Sequence, residues 1–336
     1  AEPRPTTGAT TPNQPTWTPL PAPEVTPVTA PPRWENLDQP NITPTPPPGN
    51  SEAAILLDFS AKGGVAKTST SRAIAQRAAE SYGMKVVLID GNRGQGDQRT
   101  FLRINHATLP SMYDAAVTGD PKIALIPPFR LNETRGNLLA PVDFAIALAP
   151  PPELDDVALI TPQVYRDVLG EATKISDLVV VDMQMIEASD VRTEGTMASD
   201  LAVPEIKAGA YGLGLSEPSM ESIKNLDYTL EQLVKDGCPK DHVLSAITRY
   251  NPEKDGDFNM DAGAKLLGRY AEFMGVSSED PELGGLISAG VINHSHKATV
   301  ELLDRVIFEG TGRSDPIDTD GKKGKKRRRR WFGGRR

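Results

Sequence analysis

Residues 53–72 read Ala-Ala-Ile-Leu-Leu-Asp-Phe-Ser-Ala-Lys-Gly-Gly-Val-Ala-Lys-Thr-Ser-Thr-Ser-Arg. The apolar run from Ile55 to Phe59 has the length of a buried strand, and the alanine-rich stretch after Thr68 is typical of a helix. A glycine pair and Lys67 lie between them. A strand, a glycine-rich turn and a helix in this order attract phosphate, because backbone N–H groups and the helix N-terminus face its oxygens. The stretch therefore predicts a nucleotide site.

The loop departs from the general P-loop pattern G-x-x-x-x-G-K-[ST]. Ala61 and Ala66 stand where that pattern has glycine, and a methyl group at Ala66 requires a negative φ. The segment instead resembles the deviant Walker motif K-G-G-x-x-K-[TS] of the ParA/MinD family of P-loop ATPases. The residues that this resemblance assigns to ATP binding are Lys62, Gly63, Gly64, Val65, Ala66, Lys67, Thr68 and Ser69.

Two later apolar runs end in carboxylates. Asp90 ends the run 85–90 and Asp182 ends the run 178–182. In open α/β sheets, ligands bind beyond the carboxyl ends of the strands. Either Asp alone is explained equally well as a strand-end cap, but together with the loop they indicate a Mg²⁺ site. Asp182 resembles the Walker B carboxylate, and the predicted metal ligands are Thr68, Asp90 and Asp182.

The segment after the second predicted strand bears on whether the chain hydrolyses ATP. ParA/MinD relatives usually read D-x-D there, and the second Asp is associated with positioning the attacking water. This chain reads Asp90-Gly91-Asn92, and an amide cannot accept a proton from water. The continuation 93–97 is more similar to the Q-x-G-D of the TadZ/CpaE branch, so Asp97 is a candidate to compensate. The candidate catalytic residues are Lys62, Asn92 and Asp97, and the change at Asn92 predicts weak ATPase activity or none.

The resemblance also implies a homodimer. In the family, the lysine at the place of Lys62 reaches the phosphates of the other subunit, so that two protomers enclose two ATP molecules. Asn251 falls where relatives contact the adenine ring, although an Asn-Pro turn explains that residue equally well.

Residues 53–310 alternate strand-like apolar runs with helical patterns, which predicts an α/β fold. The expected architecture is a doubly wound, mostly parallel sheet with helices on both faces, as in P-loop NTPases. Within this region the pattern predicts a strand at Leu201–Ile206 and a helix at 261–274. The expected domains are a disordered Pro/Thr-rich arm at 1–50, the ATPase domain at 51–312 and a flexible polybasic tail at 313–336.

Composition supports these boundaries. Residues 1–50 contain 15 of the 30 prolines and almost no apolar run, so they cannot bury enough surface to fold. Cys238 is the single cysteine, which excludes an intramolecular disulfide and fits a reducing compartment. One cysteine also cannot supply the ligands of an iron–sulfur cluster, which disfavours the iron–sulfur relatives of the fold. The expected location is the cytoplasm, in association with the nucleoid or the membrane.

The basic tail predicts a polyanionic partner. Residues 322–336 hold ten Lys or Arg and no acid, and since the whole chain has a formal charge of −8, the rest carries −8 − 10 = −18. Such a segment suits DNA phosphates or an anionic membrane surface. Trp331 and Phe332 fit either base stacking or interfacial insertion. A solvated tail without a partner is the third interpretation.

Together these features predict an ATP-dependent dimerising switch that binds DNA or membrane. Its task would be to partition or position a cargo, such as plasmid or chromosomal DNA or a secretion or pilus machine, through a cargo or adaptor protein. The alternative is a non-hydrolysing, ATP-bound scaffold that recruits partners through the Pro-rich arm.

Overall fold

The computed structural model describes residues 53–93, 96–104, 108–136, 139–151 and 157–314. The predicted arm at 1–50 and the basic residues 322–336 lie outside these ranges. Within them the strands are β1 (Ala54–Ser60), β2 (Val86–Gly91), β3 (Leu125–Ile126), β4 (Ala145–Ala147), β5 (Leu178–Met183), β6 (Tyr211–Ser216), β7 (Val243–Tyr250) and β8 (Glu272–Ser278). The α-helices are α1 (Lys67–Tyr82), α2 (Gln98–Phe101), α3 (Met112–Thr118), α4 (Pro128–Arg135), α5 (Pro162–Ile175), α6 (Val203–Ala208), α7 (Met220–Lys235), α8 (Met260–Leu267), α9 (Leu283–Ser288) and α10 (Val300–Thr311). None of the helices in the described ranges is both long and apolar enough to cross a bilayer.

The eight strands of the described residues form one sheet in the order β3-β4-β2-β5-β1-β6-β7-β8. Neighbouring strands are parallel, except that β3 runs antiparallel to β4. β1 lies in the centre, between β5 and β6. The predicted α/β class is confirmed, and the carboxyl ends of β1, β2 and β5 meet at one edge of the sheet.

Alternate residues of the central strands pack on opposite faces of the sheet. Leu57 and Phe59 of β1 join a core that includes α5 and α7, whereas Leu56 packs with Ile74 of α1 and with α10. Burial on both faces is typical of parallel strands. Each fully buried Leu, Ile or Phe stabilises the fold by about 1.5–3 kcal/mol. The loop after β1 therefore starts from a strand that is buried on both faces of the sheet.

The strand predicted at Leu201–Ile206 is wrong. A π-helical turn at Ala198–Ala202 leads directly into α6, and Pro204 is the second residue of that helix. The true strand is β6, Tyr-Gly-Leu-Gly-Leu-Ser, whose glycines dilute the apolar pattern. Packing requires those glycines, because a Cβ atom on Gly212 or Gly214 would lie 2.7 or 2.8 Å from side chains of α6 and α7.

The helix predicted at 261–274 is correct only in its first half. α8 ends at Leu267, and β8 begins at Glu272. β8 pairs with β7 at the edge of the sheet, and within it Met274 and Ser277 are the buried residues. It therefore lacks the continuous apolar run that marked the central strands.

Candidate nucleotide-binding site

The loop between β1 and α1 lies at the carboxyl edge of the sheet. Gly63 and Gly64 are exposed, and a Cβ atom built on either would meet no atom within 4 Å. Gly64 has φ +82°, which glycine adopts without strain. Two residues of β7 anchor the loop. Thr248 Oγ1 donates to the Val65 carbonyl at 2.7 Å, and Arg249 Nη1 donates to the Gly64 carbonyl at 2.7 Å. The loop is therefore fixed on one side and open to a ligand on the other.

Ala66 does not have the negative φ expected from its sequence. Its φ of 62° and ψ of 23° are left-handed, at the residue just before α1. The chain thus keeps the conformation that a glycine would adopt freely, at a cost of about 1–2 kcal/mol for an L-residue. The conformation lets α1 start at once, because the Ala66 carbonyl already accepts from the Thr70 N–H at 2.9 Å.

Replacing Ala66 with glycine should raise the free energy of unfolding by up to about 1 kcal/mol, because the strain relieved exceeds the backbone entropy that glycine adds to the unfolded chain. Urea unfolding followed by circular dichroism measures this change. Ala61 has no positive φ, so Ala61→Gly is the matched control and should lower stability by about 0.5–1 kcal/mol. Equal losses in the two variants would contradict the strain at Ala66.

Lys67, the first residue of α1, forms an ion pair with Asp182 near the end of β5. Asp182 is 1% exposed, and its other oxygen accepts a hydrogen bond from Gln98 Nε2 at 3.0 Å. Two such partners satisfy a buried carboxylate. The fold thereby gathers an ammonium, a carboxylate and an amide at the open end of the loop. Sequence reasoning missed Gln98, because the segment around α2 carries no periodic pattern.

Asp58 of β1 is a third buried carboxyl that sequence reasoning passed over inside an apolar run. Strand register places Asp58 and Asp90 on either side of Asp182. Ser71 Oγ lies 2.6 Å from Asp58 Oδ2. Burial raises the pKa of Asp58 well above its usual value and that of Asp90 to about 8, and the Asp182 charge adds to both shifts. Burial therefore favours the protonated form of both carboxyls, and the charge of a cation bound beside them would oppose this shift.

The predicted magnesium ligands lie at this same edge of the sheet. Asp90 Oδ2 is buried and has no hydrogen-bond partner among the described residues, so this oxygen is left for a cation, whose charge would favour the ionised form of Asp90. Mg²⁺ takes one or two carboxylates together with waters and phosphate oxygens, and Asp90, Asp182 and the Thr68 hydroxyl fit that donor set. Across the described ranges, no group of three or more His, Cys, Asp or Glu residues could hold a metal ion by itself.

Lys62 opens the loop, and its side chain is 34% exposed. Its Nζ pairs with Glu217 Oε1 at 2.9 Å and more loosely with Glu221 Oε2 at 3.5 Å. The hydrogen bond to Glu217, with the charges of both glutamates, raises the pKa of Lys62. The ammonium therefore rests beside the first turn of α7, at the rim of the loop.

A pocket with a cavity volume of about 50 Å³ adjoins the first turns of α1. Ser69, Thr248 and Ser277 line its polar side, and its apolar side is formed by Leu283, Ile287, Val291 and Leu302. Arg72 of α1, which is 3% exposed, also lines the pocket. Asn251 lies outside this lining: its amide donates to Glu279 Oε2 at 2.7 Å.

No family model and no curated protein sequence matches the chain. Solved structures do match about three quarters of it. MinD from Pyrococcus horikoshii OT3, complexed with Mg-ADP, has a TM-score of 0.59 at 16% identity, covering 76% of this chain and 96% of that one. A ParA family ATPase from Chlorobium tepidum TLS has 0.56 at 13% identity, covering 75% and 97%. McdA from Cyanothece, in its ATP complex, has 0.57 at 18% identity, covering 78% and 98%. The chain has the MinD/ParA ATPase fold.

Within this MinD/ParA fold, the two candidate catalytic residues after β2 differ in their surroundings. The Asn92 N–H donates to Asp90 Oδ1 at 3.3 Å, and the side chain of Asn92 is partly buried. Asp97 is exposed, immediately before α2. The fold thus places Asn92 close to Asp90, whereas Asp97 faces solvent and its neighbour Gln98 contacts Asp182.

Proposed function

We propose that the protein is an ATP-dependent dimerising switch of the ParA/MinD type, which binds a polyanionic surface to partition or position a cargo. The observation that carries this proposal is the ion pair between Lys67 and Asp182 at the mouth of the loop, in the MinD/ParA fold. A lysine that starts a helix after a glycine-rich loop, beside a strand-end carboxylate, matches the donor set of a magnesium-nucleotide site.

The phosphates of ATP and the magnesium ion have places in this proposal. The N–H groups of the loop 62–68 and the N-terminus of α1 would hold the phosphates, with Lys67 moving from Asp182 to the terminal phosphates. Thr68, Asp90 and Asp182 would hold Mg²⁺, which supplies charge neutralisation to the phosphate oxygens.

Lys62 would join two copies of the chain. Its ammonium lies at the rim of the loop and is held by two glutamates that are themselves partly or fully exposed. Because exposed ion pairs contribute little to stability, phosphate oxygens of a second copy could replace Glu217 at little cost. The dimer would then depend on the nucleotide that both copies enclose.

The polyanionic surface and the cargo in this proposal are supported by the sequence. Residues 322–336 carry the charge that suits DNA or an anionic membrane, and Pro/Thr-rich residues 1–50 offer a segment for a cargo or adaptor protein. We propose a domain at 51–312 between these two segments, and a cytoplasmic protein that gathers at the nucleoid or the membrane. The cargo class remains DNA or a secretion or pilus machine.

A second candidate function is a scaffold that binds ATP without hydrolysing it. The observation that favours this candidate is Asn92, which stands where D-x-D relatives have a carboxylate. Such a scaffold would dimerise with ATP and would show no turnover with saturating DNA or partner. The two functions share the ATP site and differ only in the chemical step.

Lys62→Ala should leave ATP binding by the monomer within a few-fold of the parent and abolish most ATP-dependent dimerisation. Light scattering of the full chain with Mg-ATP measures the change in mass, and calorimetry measures the affinity. Lys122→Ala removes a lysine that is 71% exposed and serves as the matched control. A Lys62→Ala protein that dimerises like the parent would remove Lys62 from the interface.

A further inference from the structure

Gln98 is a buried polar side chain that none of the roles above requires. Its side chain is fully buried although the preceding Asp97 is exposed. Nε2 donates to Asp182 Oδ2 at 3.0 Å, which fixes the plane of the amide. Oε1 is also buried and has no hydrogen-bond partner among the described residues. An unpaired buried acceptor destabilises a protein, so this oxygen marks a place where a ligand would complete the site.

The position of the amide identifies that ligand by its chemistry. Lys67 pairs with one oxygen of Asp182 and Gln98 with the other, so the amide and the ammonium lie on the two sides of one carboxylate. If Lys67 neutralises the terminal phosphates of ATP, the Gln98 amide lies beside the same phosphates. A hydrogen-bond donor small enough to reach a buried acceptor there is a water molecule.

The short helix that carries Gln98 is tied to the phosphate-binding helix. Arg72 of α1 places its guanidinium 4.2 Å from the centre of the Phe101 ring in α2. The same guanidinium donates to the Thr68 carbonyl at 3.3 Å and to Ser69 Oγ at 3.4 Å. This cation–π contact, made by a buried cation, helps to hold α2 in register with the first turn of α1. The amide is therefore positioned by contacts on both sides.

We propose that Gln98 orients the water molecule that attacks the terminal phosphorus of ATP, an assignment that rests on the ATP site proposed above. The water oxygen bonds to that phosphorus while the bond to the oxygen that bridges to ADP breaks. Gln98 Oε1 accepts a hydrogen bond from the proton that leaves the water, and this proton passes to a phosphate oxygen. The amide stays neutral and takes no proton, as for the glutamine that orients water in other P-loop hydrolases.

Two variants separate orientation of water from support of the fold. Gln98→Met keeps the length and volume of the side chain without its amide, and Gln98→Asn keeps the amide but withdraws it by one methylene. For each full-length protein, the single-turnover rate with saturating Mg-ATP and the dissociation constant for ATP are measured. Both variants should slow turnover by about 100-fold, in the range found for loss of one preorganised hydrogen bond, with the dissociation constant changed by less than about threefold. Gln163→Met, at an exposed position of α5, is the matched control.

Each other outcome decides the question. Equal fold-losses in rate and affinity would give Gln98 a structural role, as would variants that keep the parent's rate. Loss of turnover in Asp97→Ala alone would move the role to that carboxylate. A parent protein that binds ATP without hydrolysing it overturns this inference and leaves the ATP switch intact, whereas a parent that binds no ATP overturns the proposed function itself. Thermal unfolding checks each variant, and Gln98→Asn carries the test if Gln98→Met does not fold.

Discussion

Replacing Lys67 with alanine should weaken ATP binding about 10- to 100-fold, because a charge-assisted hydrogen bond contributes about 1.5–3 kcal/mol and every 1.4 kcal/mol is a factor of ten. The loop would lose the ammonium that faces Asp182 and, in our proposal, neutralises the terminal phosphates. Isothermal titration of the full-length protein with Mg-ATP measures the affinity. Lys174→Ala, at a lysine that is 66% exposed on α5, should bind like the parent.

The same substitution has a second effect that must be separated from the first. Asp182 is buried, and removing one partner of a buried ion pair destabilises a protein by about 3–5 kcal/mol. Adding Asp182→Asn to Lys67→Ala removes the unpaired charge and should recover part of that stability without recovering ATP affinity. Unchanged ATP affinity in folded Lys67→Ala would contradict the assignment of the loop to phosphate.

Deleting residues 322–336 should remove most binding to polyanions, because ten cations are lost and the remaining chain carries a formal −18. If the surface is duplex DNA and six to ten phosphates are contacted, the affinity of the full chain should fall roughly 10³–10⁵-fold between 50 and 200 mM salt. Gel shifts with ATP and with ADP measure the affinity. A chain with those ten residues changed to glutamine keeps the tail's length and is the matched control.

Binding of the same proteins to an anionic membrane would depend on different factors. Binding should then require anionic lipid, at about 1 kcal/mol per basic residue near the surface. Changing Trp331 and Phe332 to alanine should weaken vesicle binding further and change DNA binding only modestly. Co-sedimentation with vesicles that contain anionic lipid decides between the surfaces. If the truncated chain binds both surfaces as well as the full chain, the tail is not the anchor.

The centre of the fold could be predicted from sequence because its signals are local. The run Ile55–Phe59 is a continuous apolar stretch of strand length, and the glycine pair with Lys67 follows it directly. Asp90 and Asp182 each follow a run of apolar residues, so their place at the ends of buried strands was readable without knowing which strands are neighbours. Parallel pairing then brings such strand ends together at one edge.

The parts that sequence reasoning missed depend on contacts between distant residues. Nothing in the sequence distinguishes Asp58 and Gln98 from other polar residues. Strand register places Asp58 beside Asp182, and the packing of α2 places Gln98 there. The glycines of β6 made this strand hard to recognise from sequence. They are required by the close approach of α6 and α7 and follow no periodic pattern. The positive φ of Ala66 is likewise imposed by the geometry of the loop, against the preference of the residue itself.

The most direct test of the proposed switch is the mass of the full-length protein in solution with each nucleotide. Light scattering after gel filtration is carried out in Mg²⁺ with ATP, with a non-hydrolysable ATP analogue and with ADP. The account predicts the mass of two chains with ATP or the analogue, and of one chain with ADP. A single-chain mass under all three conditions, at nucleotide concentrations shown by calorimetry to saturate the site, would contradict it.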